Sequence, residues 1–451
     1  MRRILVVMSL LVLGAGPLHA QEQDTSRLPT GVRLGLMYRT AFRPKLAVRP
    51  IEADTADGAV AEQVREIVVR DLDFSDRFNM TELIPERLAS GPVDYAPCND
   101  LGVAFLVTGR MEPSDPGYLW RVTLHDVTYA RVKEERAYQL PLPTSPEFRM
   151  AVHAVSDEIV RWTTGQPGIA ATRIAFVRRS GSSYELMLVD SDGENIRRVA
   201  ASERLLFSPA WSPDGRRLAY AVETADGWRI EERELGGGTR TLVSRPGVAM
   251  TPTYSPDGSR LAFAVSTGRS TTIYETDIVR DCCLRSLITG PGENISPTYS
   301  PDGRKIAYNS DRLGQPHIYM ASSDGGTGTL LSPFTYGEPG YYTSPDWSPT
   351  GSAVTFHGRS RGRFQIMVAD ADRPGAPVLQ LTAEGENEDP SWAPDGRHIV
   401  FSRVRAGGLG LYVIDTVTGR IRPVIVGAAM YTPDWSPALM RASALAVVGQ
   451  P

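Results

Sequence analysis

Two carboxylates stand at matching places in this chain. Asp346 and Asp434 each fill the x of a Pro-x-Trp motif. On a strand lining a channel they could both point inward and favour a hard cation such as Ca²⁺. Two oxygen donors are too few for a cage, so solvated carboxylates are the plainer reading. Gly358-Arg359-Ser360-Arg361-Gly362 matches the G-x-S-x-G nucleophile pattern. A nucleophile elbow needs a strand-to-helix turn within a hydrolase domain, and this copy falls in a turn between two short strands. Gly236–Gly238 and Gly325-Gly326 lack the Lys-Ser/Thr of a phosphate loop and read as hairpin turns. His125, His153, His317, His357 and His398 show no metal-ligand spacing with one another. Three cysteines, Cys98, Cys282 and Cys283, cannot build a disulfide framework. Isolated thiols, a local pair after Asp277, or a bond from Cys98 to one of the pair all stay open. The sequence therefore offers no convincing catalytic set.

The elements that position these residues are set by a repeat. Pro, any residue, an aromatic, Ser or Ala, then Pro recurs six times, beginning at Pro209, Pro252, Pro297, Pro345, Pro390 and Pro433. The spacing stays between 43 and 48 residues, the period of four-stranded, WD40-like propeller blades. Most copies continue into Asp-Gly, which is turn chemistry, while the aromatic suits a contact between blades. Segments such as Arg217–Val222, Arg260–Val265 and His398–Ser402 follow as strands. The last copy has no complete blade after it. Three orphan strands, Thr172–Val177, Tyr184–Asp190 and Ile196–Val199, precede the first copy. Joining the two ends makes a sixth, split blade and removes the open sheet edges. The expected architecture is a small α/β domain over residues 32–165 and a six-bladed β-propeller over 169–440, closed by a split blade, with a tail at 441–451.

The helices of the first domain are read from periodicity. Val60, Val64, Ile67, Val68 and Leu72 share one face of a helix over 59–74. Thr144-Ser145-Pro146-Glu147 is a capping box opening a helix to about Thr163, with Phe148, Val152, Val155, Ile159 and Trp162 on one face. Gly165–Gly168 reads as a hinge. Upstream, Met1-Arg2-Arg3 and the apolar run Ile4–Gly16 read as a cleaved secretory signal over 1–20. Residues 21–31 read as a mobile tail. At 451 residues, 41% apolar and a net charge of −4, the chain carries no basic excess to suggest nucleic acid.

Binding chemistry is concentrated in the loops that join the fourth strand of one blade to the first of the next: 201–208, 245–251, 290–296, 333–344, 383–389 and 426–432. These loops share one end of a propeller. They carry Met250, Glu293, Asn294, Tyr336, Glu338, Tyr341, Tyr342, Asn387, Glu388 and Tyr431. Aromatic residues commonly anchor interfaces, and the acidic and amide groups would form a hydrogen-bonding rim.

Three runs together resemble one family. His153-Ala-Val-Ser156-Asp157-Glu158-Ile159, then Thr164-Gly165-Gln-Pro167-Gly168-Ile169, then Thr172-Arg173-Ile174-Ala175-Phe176-Val177 is similar to the domain junction of the TolB family of periplasmic Tol-Pal proteins. The resemblance covers about residues 32–440. It implies a monomeric periplasmic scaffold rather than a catalyst, serving outer-membrane integrity and constriction at division. A peptidoglycan-associated lipoprotein, Pal, would bind the propeller face formed by these loops. An inner-membrane protein, TolA, would bind an extended N-terminal segment. Val32, Arg33, Leu34, Gly35 and Leu36 fit the run with which that segment begins, about ten residues further from the cleavage point. The rival readings are a propeller enzyme of lactonase or peptidase type and a secreted propeller with an unrelated partner.

Overall fold

The computed structural model describes residues 28–35, 37, 42–81, 88–337, 340–405, 408–428 and 430–447. The expected signal, most of the expected tail before residue 32, Leu36 and Glu338 lie outside the described residues.

The N-terminal strand β1 (Val32–Leu34) belongs to the propeller and is taken up below. The first domain then runs β2 (Lys45–Val48), α1 (Gly58–Phe74), β3 (Asn79–Met80), α2 (Tyr95–Asp100), β4 (Val103–Pro113), β5 (Tyr118–Asp126), β6 (Arg131–Leu140) and α3 (Phe148–Thr164). Its sheet has the order β3-β2-β4-β5-β6. Val64, Ile67, Val68 and Leu72 of α1 pack with Phe148, Val152, Val155 and Ile159 of α3 against Val107, Trp120, Val122 and Tyr138 of the sheet.

Helix α3 departs from the amphipathic expectation. Met150, His153, Ala154, Ser156 and Glu158 are buried as well as its apolar face, because Met150 and Ala154 also pack with Ala171 at the start of the propeller. Nor does the capping box form. The helix starts after Glu147, with no side-chain cap, and the Ser145 hydroxyl donates to the Glu147 carboxylate instead. The expected hinge is a tied corner. Gly165 ends α3 at φ 72°. Asp157 then accepts the Ala170 and Ala171 amides at 2.7 and 2.9 Å. A Cβ on Gly168 would lie 2.0 Å from the Asp157 carboxylate, so glycine is needed where backbone meets acid.

Five blades are continuous four-stranded antiparallel sheets, beginning at strands Leu206–Trp211, Val248–Tyr254, Asn294–Tyr299, Tyr342–Trp347 and Glu386–Trp392. The sixth is split as the repeat predicts: Met430–Trp435 pairs antiparallel with Arg173–Ser180, followed by Ser183–Asp190 and Arg197–Ser202. Blades are numbered one to six in that order.

Of the expected tail at 441–451, residues 448–451 lie outside the described residues, and the part before them is packed. Leu439 donates to the Ala171 carbonyl, Ala442 enters the first domain's core, and Ala446 bridges to Tyr138 on the edge of β6. The two domains also meet through buried charge. His153 Nε2 lies 3.9 Å from Asp190 Oδ2, Arg420 pairs with Asp73 and Asp76, and His398 bridges Asp395 and Asp76 at 2.8 and 3.3 Å.

Candidate partner-binding face

Six residues in the left-handed region share one position. Ser208, Thr251, Ser296, Ser344, Asp389 and Thr432 have φ between 44° and 54°, and each directly precedes the Pro of its repeat. At each, the pairing of the first strand with the second slips by one residue, a β-bulge. A residue before proline avoids helical geometry, so this conformation must be held by its surroundings. Neighbouring blades supply the hold. Thr432 Oγ1 accepts the Ser208 amide at 3.3 Å, Thr251 Oγ1 accepts the Ser296 amide at 3.1 Å, and Ser344 Oγ donates to Asp389 at 3.0 Å. Short polar side chains at all six places suit this bonding. The bulges bend the inner strands where the loops of the candidate face begin.

Two residues further on lies the x of each motif, and in four of the six it links blades again. Thr298 accepts the Trp347 amide at 3.2 Å, Asp346 the Trp392 amide at 2.7 Å, Ser391 the Trp435 amide at 3.1 Å and Asp434 the Trp211 amide at 2.6 Å. The second oxygens of Asp346 and Asp434 accept the Thr298 and Ser391 hydroxyls at 3.3 Å. Both expected cation ligands are therefore already turned to N–H and O–H donors, and the donor set does not fit a hard-cation cage. Burial within the ring pushes Asp346 up to about 6. Burial and the charge of Asp346 push Asp434 up to about 8.

The loop residues divide by depth. Tyr336 is 95% exposed. Glu293, Tyr341, Glu388 and Tyr431 are half-buried at the surface, with the Tyr341 ring 5.5 Å from Phe364. Glu293 also accepts the Thr271 hydroxyl. Four expected contact residues are instead internal. Met250 and Tyr342 belong to the apolar cores between blades. Asn294 donates to the Thr271 carbonyl at 3.1 Å. Asn387 donates to Gln365 and the Glu384 carbonyl, both at 2.9 Å. They shape the loops from beneath.

The N-terminal run is docked on the propeller itself. β1 pairs in parallel with Val378–Gln380 and makes a fifth, outer strand on blade four. The Val378 amide donates to the Gly31 carbonyl at 2.9 Å and the Gly35 amide to Gln380 at 3.2 Å. Val32 is buried, while Leu34 is 58% exposed. Neither packing on the α/β domain nor a free segment describes it.

The remaining reactive groups are accounted for. Ser360 is buried in the hairpin turn, and among the described residues its hydroxyl has no hydrogen-bond partner and hence no general base. Cys282 and Cys283 are bonded to each other, and Cys98 is free and buried. His153 and His398 each sit among two or more aspartates, a grouping invisible in sequence because the partners come from both domains. Arg149 pairs with Asp192, and Arg397 with Asp415, so these clusters are salt-bridge networks.

Family models match on both sides of the junction: the TolB amino-terminal domain over residues 39–132 and the TolB beta propeller domain over 160–439. The Tol-Pal system protein TolB of Methylococcus capsulatus is 35% identical over 199 residues, 42% of this chain and 46% of the relative. That of Haemophilus ducreyi is 34% identical over 207 residues, 44% of this chain and 47% of the relative. The chain thus spans about half the length of the curated relatives it matches. The crystal structure of TolB from Acinetobacter baumannii superposes with a TM-score of 0.77 at 25% identity, over 91% of this chain and all of that one. With both domain models matched in order and the propeller model alone covering more than half of the residues, the chain belongs to the TolB family.

Proposed function

We propose that this protein is a two-ended periplasmic adaptor of the Tol-Pal system. The propeller face takes an outer-membrane lipoprotein of the Pal kind. The segment beginning at Val32 takes an inner-membrane protein of the TolA kind, in support of outer-membrane integrity and constriction at division. A signal over residues 1–20 would deliver it to the periplasm.

The observation that carries this reading is the docking of β1. Three residues form an added outer strand on blade four, so their backbone pairs with a sheet edge through few bonds. A strand so placed can leave one edge and join another, the geometry of strand-addition recognition. If lipoprotein binding favours one of these states, capture of the segment must change lipoprotein affinity by the same factor. The name of the curated relatives supports the system, and exposed Tyr336 with half-buried Tyr341 and Tyr431 supports the face.

The test has two parts. A pull-down from envelope extract should recover a peptidoglycan-associated lipoprotein, and recovery of none sinks the assignment of that partner. Hydrogen exchange at residues 32–35, with and without saturating lipoprotein, should then differ. Identical protection alongside confirmed binding would leave the chain a passive linker.

A further inference from the structure

The first domain holds a pocket that the adaptor role does not use. It has a volume of about 260 Å³ and lies between the outer face of the sheet and the strap of residues 89–93. Arg49 stands in its wall and is itself only 4% exposed. One guanidinium nitrogen, Nη1, donates to the Gly91 carbonyl at 2.9 Å. Nε and Nη2 are closed off from solvent and, among the described residues, have no partner. No carboxylate among the described residues lies within ion-pair distance of Arg49, whereas Asp192, Asp415 and Asp76 each have an arginine.

A buried guanidinium with two unsatisfied N–H groups is costly and calls for an occupant. Nε and Nη2 are the side edge of the fork, the edge that takes a carboxylate through two parallel N–H···O bonds. The second cationic candidate in the wall is withdrawn: His125 is held by Tyr95 Oη and Thr108 Oγ1, both at 3.0 Å, and burial followed by the charge of Arg49 lowers its pKa. The remaining charged residues in the lining are acidic, Glu52 and Glu135, both exposed. Pro50, Pro92, Val93 and Val132 supply apolar wall between these poles.

We propose that this pocket binds a small zwitterion with an apolar body, its carboxylate on the free edge of Arg49 and its ammonium group toward Glu52 and Glu135. The volume suits an amino acid or the end of a short peptide, not a nucleotide. The strap closes over Arg49 through Gly91, so entry displaces residues 89–93. The site is on the sheet face opposite α1 and α3, away from the propeller loops.

The full chain is titrated with L-alanine, acetate and inorganic phosphate by calorimetry, with amide NMR shifts read in parallel. Alanine should bind saturably and move the amides of residues 89–91, 93, 108–109 and 125. It should bind more tightly than acetate or phosphate. Arg49→Gln should abolish binding. Glu52→Gln with Glu135→Gln, two exposed changes that leave the core alone, should weaken alanine about three- to tenfold and leave acetate unchanged. This double variant carries the test should Arg49→Gln fail to fold. The inference falls if wild type binds none of the probes saturably, if acetate or phosphate binds as tightly as alanine, or if the double variant binds alanine unchanged.

Discussion

Replacing Asp434 by Asn should stabilise this protein at neutral pH, although the carboxylate makes two hydrogen bonds. Asp434 has a folded pKa of about 8 against an ordinary 3.8. A carboxyl raised on folding contributes stability that is present below the unfolded value and lost as pH rises toward the folded one. Between pH 3.8 and 7 the full linkage amounts to about 4 kcal/mol, at 1.36 kcal/mol per unit. Asp434 keeps part of its surface accessible, and the Trp211 amide still supports its charge, so we set the realised gain at about 1–3 kcal/mol. Asn keeps the required geometry: its carbonyl can accept the Trp211 amide, and its NH₂ can donate to the Ser391 hydroxyl, which accepts as readily as it donates. Urea unfolding, followed by tryptophan fluorescence at pH 4.5 and 7.5, provides the measurement. The variant should match wild type at the lower pH within about 1 kcal/mol and exceed it at the higher. A variant less stable at pH 7.5, or one whose deficit grows when Ca²⁺ is added, would refute the reasoning, because it would mean that the charged carboxylate is the stabilising form.

Three further outcomes follow from the same geometry. His398 is raised to about 9, against burial, by Asp395 and Asp76; its contribution is complete below pH 6.5 and lost as pH rises through 9, so His398→Gln should cost about 3 kcal/mol at pH 6 and flatten the decline in stability between pH 6.5 and 9. Tyr336→Ala with Tyr341→Ala should weaken lipoprotein binding by about 2 kcal/mol or more per anchor with an unchanged melting curve, whereas Tyr342→Ala should cost about 3–5 kcal/mol of stability; calorimetry and thermal unfolding separate the two. Truncation after Val424 should expose the edge at Arg173–Ser180 and yield oligomers in size-exclusion chromatography; a monomer that melts like the full chain would contradict the split blade.

What could be read in the sequence was whatever repeats or recurs locally. Six Pro-x-aromatic motifs specify six inner strands, and the missing blade after Pro433 specifies the split closure. The face of α1 was legible because Val64, Ile67, Val68 and Leu72 fall on one side of a helix. Residues that act through distant partners were not legible. The aromatic at Tyr342 reads like Tyr341 until the fold turns one into the core and the other outward. Three residues at Val32–Leu34 contain nothing that names Val378–Gln380 as their partner. Asp434 looks like a surface carboxylate until Trp211, 223 positions away, brings its amide to it. The bulge position was visible as Ser, Thr or Asp before every Pro, but a left-handed residue there contradicts the usual preference and could not be inferred from it.

The return of residues 439–447 to the first domain gives the chain a fixed order of completion. Strand Met430–Trp435 and residues 439–447 are synthesised after the strands they complete. Until they emerge, Arg173–Ser180 has no neighbour on one side and the edge of β6 at Tyr138 is uncovered. The two domains can each gather their local contacts earlier, but neither is finished before the other. A single stretch, residues 430–447, supplies the closing strand of one and an edge contact of the other, so a chain that stopped before Met430 would leave two domains incomplete rather than one.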